Sequence, residues 1–565
     1  MKTNNALIYF FLLNFAALSS QQKYPQNYFR NPLNTPMILA GTFGELRSSH
    51  FHSGIDLKTQ QREGLKVLAA AEGYVSRIKI SNWGYGKALY ITHPNGFTTV
   101  YAHLKEFNKK IEAYTKAKQY ELEKTEIQLF PKKGELLVTQ EEVIAYSGST
   151  GGFIAPHLHF EIRDSQTEKV INPMHFGLLP KDVVKPKILA AQAYALQDSA
   201  HVNGSNRPVP LSLKQFEDGN YLAEPVKGYG SIGFGVHTYD RQDGSLNKNG
   251  VYKINMKVNG KTTYEHKLES FSFGESKYLN LLIDFAQYAA NKKKYQKTYI
   301  HPENKLSIYK ETAEKGRLQV KEKLDYQVVI KVSDFKQNTA TLTIPVVGVK
   351  KTPIPNKEQL KTNYFIKHNE AQSFENSGIK IEFPKNAFYE DFYFDFRVED
   401  SIAYLHTTEV PLNKSYDLSF DVSSLSKGQH EKGYISRINQ KGKTSYCPTS
   451  KIDSVFKTST KNLGRHTLSY DEESPEISNC SFYKGQNLTG YHFFSIYLKD
   501  ALSGIKTYRG EIDEKWILLE RNVKTNKLTY NFHDKKLKKG KHTFTLFAVD
   551  NVGNTRTFTS EFRIK

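Results

Sequence analysis

Along residues 157–163 polar and apolar side chains alternate without a break, His157, His159, Glu161 and Arg163 against Leu158, Phe160 and Ile162. Successive side chains of an extended strand point to opposite faces, so the pattern predicts a half-buried strand carrying two imidazoles on its polar side. A glycine-rich turn at Gly148, Gly151 and Gly152 precedes it. The same period of two recurs at residues 378–384 and 416–422. Beyond residue 187 the chain runs in short stretches of Tyr, Phe, Val, Ile and Thr, separated by Asn, Gly, Asp and Lys clusters. That grammar predicts β sandwiches. Between residues 105 and 140 the spacing changes. Phe107, Ile111, Tyr114 and Leu122 fall at mostly helical intervals in a Lys- and Glu-rich run, which predicts a helix of about four turns.

Two histidines on one strand face become informative when joined by His52 and Asp56 upstream. A hydrolytic zinc takes three ligands from His, Asp or Glu and leaves its fourth position to water. His52, Asp56 and one of the pair His157 and His159 supply two nitrogens and one oxygen. The histidine left over is suited to proton transfer or to polarising a carbonyl. His103, at the end of the apolar stretch Thr98 to Leu104, is its natural partner.

Phe51, His52, Ser53, Gly54, Ile55 and Asp56, then Tyr101, Ala102, His103 and Leu104, then Gly148 to Gly151 followed by His157, Leu158, His159 and Phe160, resemble the motifs of the lysostaphin-type, LytM-like zinc metallopeptidases that cut peptidoglycan cross-bridges. The resemblance covers roughly residues 38–175, with strands like the family's at residues 67–75 and 84–96. It implies that His52, Asp56 and His159 bind zinc and that His103 and His157 are the two non-ligand histidines of the active site. It also implies peptidoglycan as substrate. Relatives that are catalytically silent and act as wall-binding or hydrolase-activating proteins typically lack ligands, whereas this sequence has all of them.

Neighbouring residues are read more plainly. His50 falls outside the motif, and His93 is expected to be a solvated loop residue. Glu161 is placed to orient one of the histidines or to form a salt bridge. Trp83, Tyr85 and Phe153, in glycine-containing loops, either wall a peptide groove or pack beneath it. The helical run of residues 105–140 is longer than the connection of compact family members, and is either a groove wall or a brace against a neighbouring β domain.

Lys2 precedes an apolar run from Ala6 to Leu18 broken only by Asn14, with small residues near 19. This reads as a secretory signal peptide over residues 1–19, too short for a comfortable membrane span. It predicts a periplasmic or extracellular protein with neither a transmembrane segment nor a lipid anchor. Cys447 and Cys480 are the two cysteines, and export permits a disulfide between them without requiring one. The net charge of +21 suits an anionic wall polymer. No nucleic-acid module accompanies the scattered lysines, so nucleic acid is not an expected partner.

The expected fold class is mainly β: an antiparallel-sheet LytM-like metallopeptidase domain at residues 30–180, followed by three β-sandwich domains. These span 187–348, 360–474 and 475–565, with boundaries at the proline-bearing stretches 179–186 and 349–356 and at Ser474 and Pro475. The first and last of the three read as remote copies resembling bacterial immunoglobulin-like domains. Each closes on an Asp-x-x-x-Asn pair, Asp334 with Asn338 and Asp550 with Asn554, expected to serve turn chemistry rather than calcium. The first copy carries a Lys-rich insertion around residues 288–317. The middle region has no assigned role, and all three are expected to dock to or space the enzyme from the wall.

Overall fold

The computed structural model describes residues 24–152, 155–351 and 361–565. The expected signal peptide and Phe153 lie outside them. The first domain is built from β1 (Leu39–Gly41), β2 (Ile55–Lys58), β3 (Lys66–Leu68), β4 (Gly73–Ile80), β5 (Lys87–Thr92), β6 (Phe97–Phe107), α1 (Lys109–Leu122), β7 (Ile127–Leu129), β8 (Leu137–Val138), β9 (Val143–Ser147), β10 (His157–Asp164) and β11 (Val170–Ile171). Its main sheet runs β1-β2-β10-β6-β5-β4-β7, every neighbouring pair antiparallel. The alternation on β10 does what its pattern requires. Leu158, Phe160 and Ile162 are fully buried in one core with Ile55, Leu89 and Tyr101, and the histidines stand on the other face.

That core does not end where the first domain does. β11 pairs with β10 on one side and with Ser270–Phe271 on the other. Leu268, Phe271, Leu279 and Leu282 from the second region pack into the same cluster as Phe160, as do Leu306 and Ile308 from its Lys-rich insertion. Burying apolar surface from both regions together ties them more firmly than a linker would.

Helix α1 begins where Asn108 accepts a hydrogen bond from the Ile111 amide at 2.9 Å, the usual N-cap arrangement. It ends on Glu123 in a left-handed conformation. Ile111, Thr115 and Gln119 form its buried stripe, while Leu122 is exposed. Its outer side meets the last β domain rather than the adjacent one. Lys116 pairs with Asp534 at 2.6 Å, Glu123 with Arg509 at 2.6 Å, and the Tyr120 ring meets Trp516 edge-on at 5.2 Å.

Downstream, residues 187–348 contribute a twelve-stranded sheet, residues 364–470 two five-stranded sheets and a two-stranded one, and residues 476–564 a four- and a five-stranded sheet. The molecule is mainly β. In both Asp-x-x-x-Asn turns the second residue donates its backbone amide and its side-chain amide to the two oxygens of the first, at 2.8 and 2.7 Å in each case. Cys447 and Cys480 are unbridged thiols, one in the core of the third region and the other against the core of the fourth. No helix among the described residues is long and apolar enough to cross a membrane.

Candidate metal centre

The register of β10 assembles the centre. His159 stands directly opposite Asp56 on β2 and Ala102 on β6, so its side chain shares a face with both. His52, two loop residues before β2, folds back over Asp56. The result is three donor atoms in mutual contact. His52 Nε2 lies 3.0 Å from Asp56 Oδ1 and 3.0 Å from His159 Nδ1, and His159 Nδ1 lies 2.9 Å from Asp56 Oδ1. All three residues are buried.

Hydrogen bonds at the far side of each ring aim these donors. His52 donates Nδ1–H to the Thr42 carbonyl at 2.7 Å, and His159 donates Nε2–H to Glu161 at 2.8 Å. Each ring is thereby held in the tautomer that turns a lone pair toward the common point, as metal-bound histidines require. Two bare imidazole nitrogens at 3.0 Å otherwise repel. The donor set fits a divalent ion of the zinc type. Glu161 is itself fully buried and accepts from Ser53 and from Tyr85, both at 2.5 Å, besides pairing with Arg163 at 2.6 Å. Burial opposes its charge, but Arg163 and His159 hold its carboxyl far below the ordinary range. Glu161 therefore both orients a histidine and forms a salt bridge. Tyr85 stacks on the His159 ring at 5.3 Å, inside the site.

His157 and His103 stand beside this cluster. His157 donates Nδ1–H to the Ala155 carbonyl at 2.9 Å, and its Nε2 is 3.6 Å from Asp56 Oδ1. His103 donates Nδ1–H to the Thr150 carbonyl of the glycine turn at 2.9 Å. Its ring centre is 4.8 Å from that of His157 and 5.8 Å from that of His159. Burial lowers the pKa of both, with the neighbouring histidines adding to it at His103, which falls to about 3. Both are neutral near pH 7.

A local irregularity brings His103 to this face. In a regular strand it would point with Tyr101 into the core. Between Tyr101 and Leu104 the pairing of β6 with β5 slips by one residue, a β-bulge, and His103 takes a left-handed φ of 59°. Bulges re-aim side chains and cluster at active sites, and a non-glycine residue in that region carries strain. Leu104 resumes the core face beyond it.

Arg47 and Glu45 were not singled out by motif or periodicity. Arg47 contacts the second oxygen of Asp56 at 2.9 Å and Glu45 at 3.6 Å, so Asp56 is held from behind by a cation. The sequence held no signal for this, since both residues sit in an irregular loop. His50 is exposed and outside the cluster. His93, expected to be solvated, is instead 3% exposed. It donates to the Glu72 carbonyl at 2.7 Å and lies 2.8 Å from the Thr99 hydroxyl, because the turn after β5 folds inward under Phe29. Trp83 is 66% exposed.

Residues 50–121 match Peptidase family M23, and residues 363–471 match the Zu5-like domain. The chain is 31% identical over 170 residues to the DD-carboxypeptidase/endopeptidase Mpg of Neisseria meningitidis serogroup B, covering 30% of this chain and 33% of the relative. It is 28% identical over 141 residues to the cell division protein DipM of Caulobacter vibrioides, covering 25% and 19%. The chain thus spans about a third or less of the length of these curated relatives. Among solved structures, the catalytic domain of lysostaphin from Staphylococcus simulans is 25% identical, with 24% of this chain and 87% of that one covered at a TM-score of 0.18. The chain carries a peptidase family M23 domain of the LytM type, matched over residues 50–121.

Proposed function

We propose that this M23 domain is a zinc metalloendopeptidase that hydrolyses peptide bonds in peptidoglycan stem peptides or cross-links. The observation that carries the reading is the convergence of His52 Nε2, Asp56 Oδ1 and His159 Nδ1 within 3.0 Å of one another, with His103 and His157 alongside. Zinc held by those three residues supplies Lewis acidity toward a substrate carbonyl and an acidified water. His157 and His103 keep Nδ1–H on backbone carbonyls, so Nε2 is the nitrogen that takes up a proton. Burial keeps both rings neutral, ready to accept a proton from the attacking water and return it to the departing amine. The substrate class follows the name of the meningococcal relative, a DD-carboxypeptidase/endopeptidase. The apolar run of residues 6–18 supports export to the periplasm or beyond, and the three β domains fit a role in docking to the wall or spacing the enzyme from it.

Zinc-loaded full-length protein incubated with purified sacculi should release peptide-cleaved muropeptides, identified by mass spectrometry. A chelator should stop the release and zinc should restore it. His159→Ala should lose the metal. His103→Ala and His157→Ala should keep it and lose about 100-fold or more of the rate, the range expected for a general acid–base group. Intact sacculi in the presence of fully zinc-loaded protein would overturn the assignment, and a His103 variant of normal rate would remove that residue from the mechanism.

A further inference from the structure

The two Asp-x-x-x-Asn turns belong to a larger constellation that occurs twice. Asp182, Asp240 and Asp334 each bring a carboxylate oxygen within 4.8 Å of the others, and Asp471, Asp500 and Asp550 do the same. The surroundings correspond group by group. Asn338 donates its side-chain amide to the Asp182 carbonyl, and Asn554 donates to the Asp471 carbonyl. Asp334 and Asp550 bind their own turns alike. Each triad thus draws one carboxylate from the segment entering a β domain, one from an early loop and one from the final hairpin.

A second observation stands apart from the carboxylates. Asn249 is 3% exposed, neither its side-chain oxygen nor its nitrogen has a hydrogen-bond partner, and it lines the same cavity as Asp182, Asp240 and Asp334. A buried amide left unsatisfied calls for an explanation such as an ion. The matching position in the other copy is Ser503, 2% exposed, with an unpartnered hydroxyl and its backbone amide on Asp471. The first cavity has a volume of about 20 Å³, room for one water-sized particle and no organic ligand. Lys336 also lines it, a single positive charge facing three carboxylates. Burial, and then Asp182 and Asp334, push the Asp240 carboxyl up to about 8. Three carboxylates thus meet at a cavity that only one cation, Lys336, lines.

We propose that each aspartate triad binds one calcium ion, with Asn249 Oδ1 and Ser503 Oγ as neutral oxygen donors. Hard carboxylate and amide or hydroxyl oxygens in irregular loops match the flexible, oxygen-only shell of calcium better than the strict octahedron of magnesium. The absence of histidine separates these sites from the zinc centre. Their placement says what the ions do. Asp182 lies between the first and second domains, and Asp471 between the third and fourth, so each ion fastens a junction to the domain that follows. At the first junction the link reaches the catalytic domain. Gly250, next to Asn249, donates to the Thr42 hydroxyl at 3.0 Å, and the Thr42 carbonyl holds His52.

The test uses full-length protein already saturated with zinc. Equilibrium dialysis should find two calcium ions per chain, and one in either Asp240→Asn or Asp500→Asn. Terbium should occupy the first site and luminesce on excitation of Tyr252, which lines that cavity, with calcium quenching the signal by displacement. Asn249→Leu, which leaves every carboxylate in place, should weaken the first site alone. No bound calcium at about 10 mM, above the usual range of extracellular modules, overturns the proposal, as does retention of two ions in both aspartate variants. One ion in the wild-type chain overturns the duplicated arrangement.

Discussion

At the residue scale the site rests on groups that do not themselves touch the reacting atoms. Glu161 is fully buried and is shared among His159, Arg163, Ser53 and Tyr85. Replacing it by Gln keeps the shape and removes the charge that fixes the His159 tautomer. Zinc affinity of Glu161→Gln, measured by competition with a chromophoric chelator, should fall by about 10–100-fold. Unchanged affinity would show that the Glu161 charge is not what fixes the His159 ring for the metal. His103 offers a test of strain. Glycine adopts its left-handed φ without cost and alanine does not, so His103→Gly should unfold at a higher temperature than His103→Ala, by roughly 1 kcal/mol in stability, with neither turning over substrate. Equal transitions would mean that the bulge relaxes once the ring is gone. Much of this centre was legible in the chain. Period-two alternation alone puts His157, His159, Glu161 and Arg163 on one face, and the motif resemblance adds His52, Asp56 and His103. What alternation cannot show is a bulge, because the extra residue exists only relative to the partner strand. Read regularly, His103 would have gone into the core with Tyr101.

At the scale of elements, α1 was legible in kind and length, since Phe107, Ile111, Tyr114 and Leu122 fall at mostly helical intervals over about four turns. Its role was not. The stripe that α1 buries is only partly apolar, and its other side is occupied by a domain almost 400 residues away in sequence, a contact made by Lys116, Tyr120 and Glu123. No local pattern encodes such a partner. The helix packs against the last domain rather than the adjacent one. Asp534 is 3% exposed at its side chain and Lys116 25%. Burial pushes the Asp534 carboxyl up even with the lysine opposite, while the same pairing raises Lys116; the cost of desolvation falls mainly on the acid. Removing the lysine alone should therefore hurt more than removing both charges. Lys116→Met should lower the stability of the docked last domain by about 1–3 kcal/mol, and Lys116→Met with Asp534→Leu should recover part of that loss, a coupling read from a double-mutant cycle. Additive effects would mean that the pair is solvated and that Tyr120 against Trp516 carries the contact.

Over the whole molecule, the mainly β composition and the sandwich-like strands could be read from short alternating runs, but the sharing of one core between the first two regions could not. Leu268, Phe271 and Leu306 are ordinary strand and loop residues in sequence, and it is the pairing of β11 with Ser270–Phe271 that joins their region to the core that holds Phe160. The same non-local packing buries three histidines, two in the regions that share a core and one in the third region. His93, His266 and His466 are 3%, 0% and 0% exposed, and burial lowers each from 6.5 to about 4. Folded, these rings stay neutral down to about pH 4; unfolded, they take up a proton near 6.5. Between those values the unfolded chain binds more protons, so acid favours unfolding. Stability from these residues is complete above about pH 6.5 and is lost as pH falls toward 4, at up to about 1.4 kcal/mol per unit for each fully buried ring. Denaturant unfolding followed at pH 7 and pH 5 should show lower midpoints at pH 5 both in the transition of the first two regions, which share a core, and in that of the third. His93→Gln can keep a hydrogen bond to the Glu72 carbonyl or the Thr99 hydroxyl but cannot titrate, so it should reduce the pH dependence of the transition that the first two regions share and leave that of the third region unchanged. A midpoint of that shared transition that falls as steeply in His93→Gln as in the natural protein would assign the acid sensitivity to other groups, with the carboxylates around Arg163 and Arg47 the next to test.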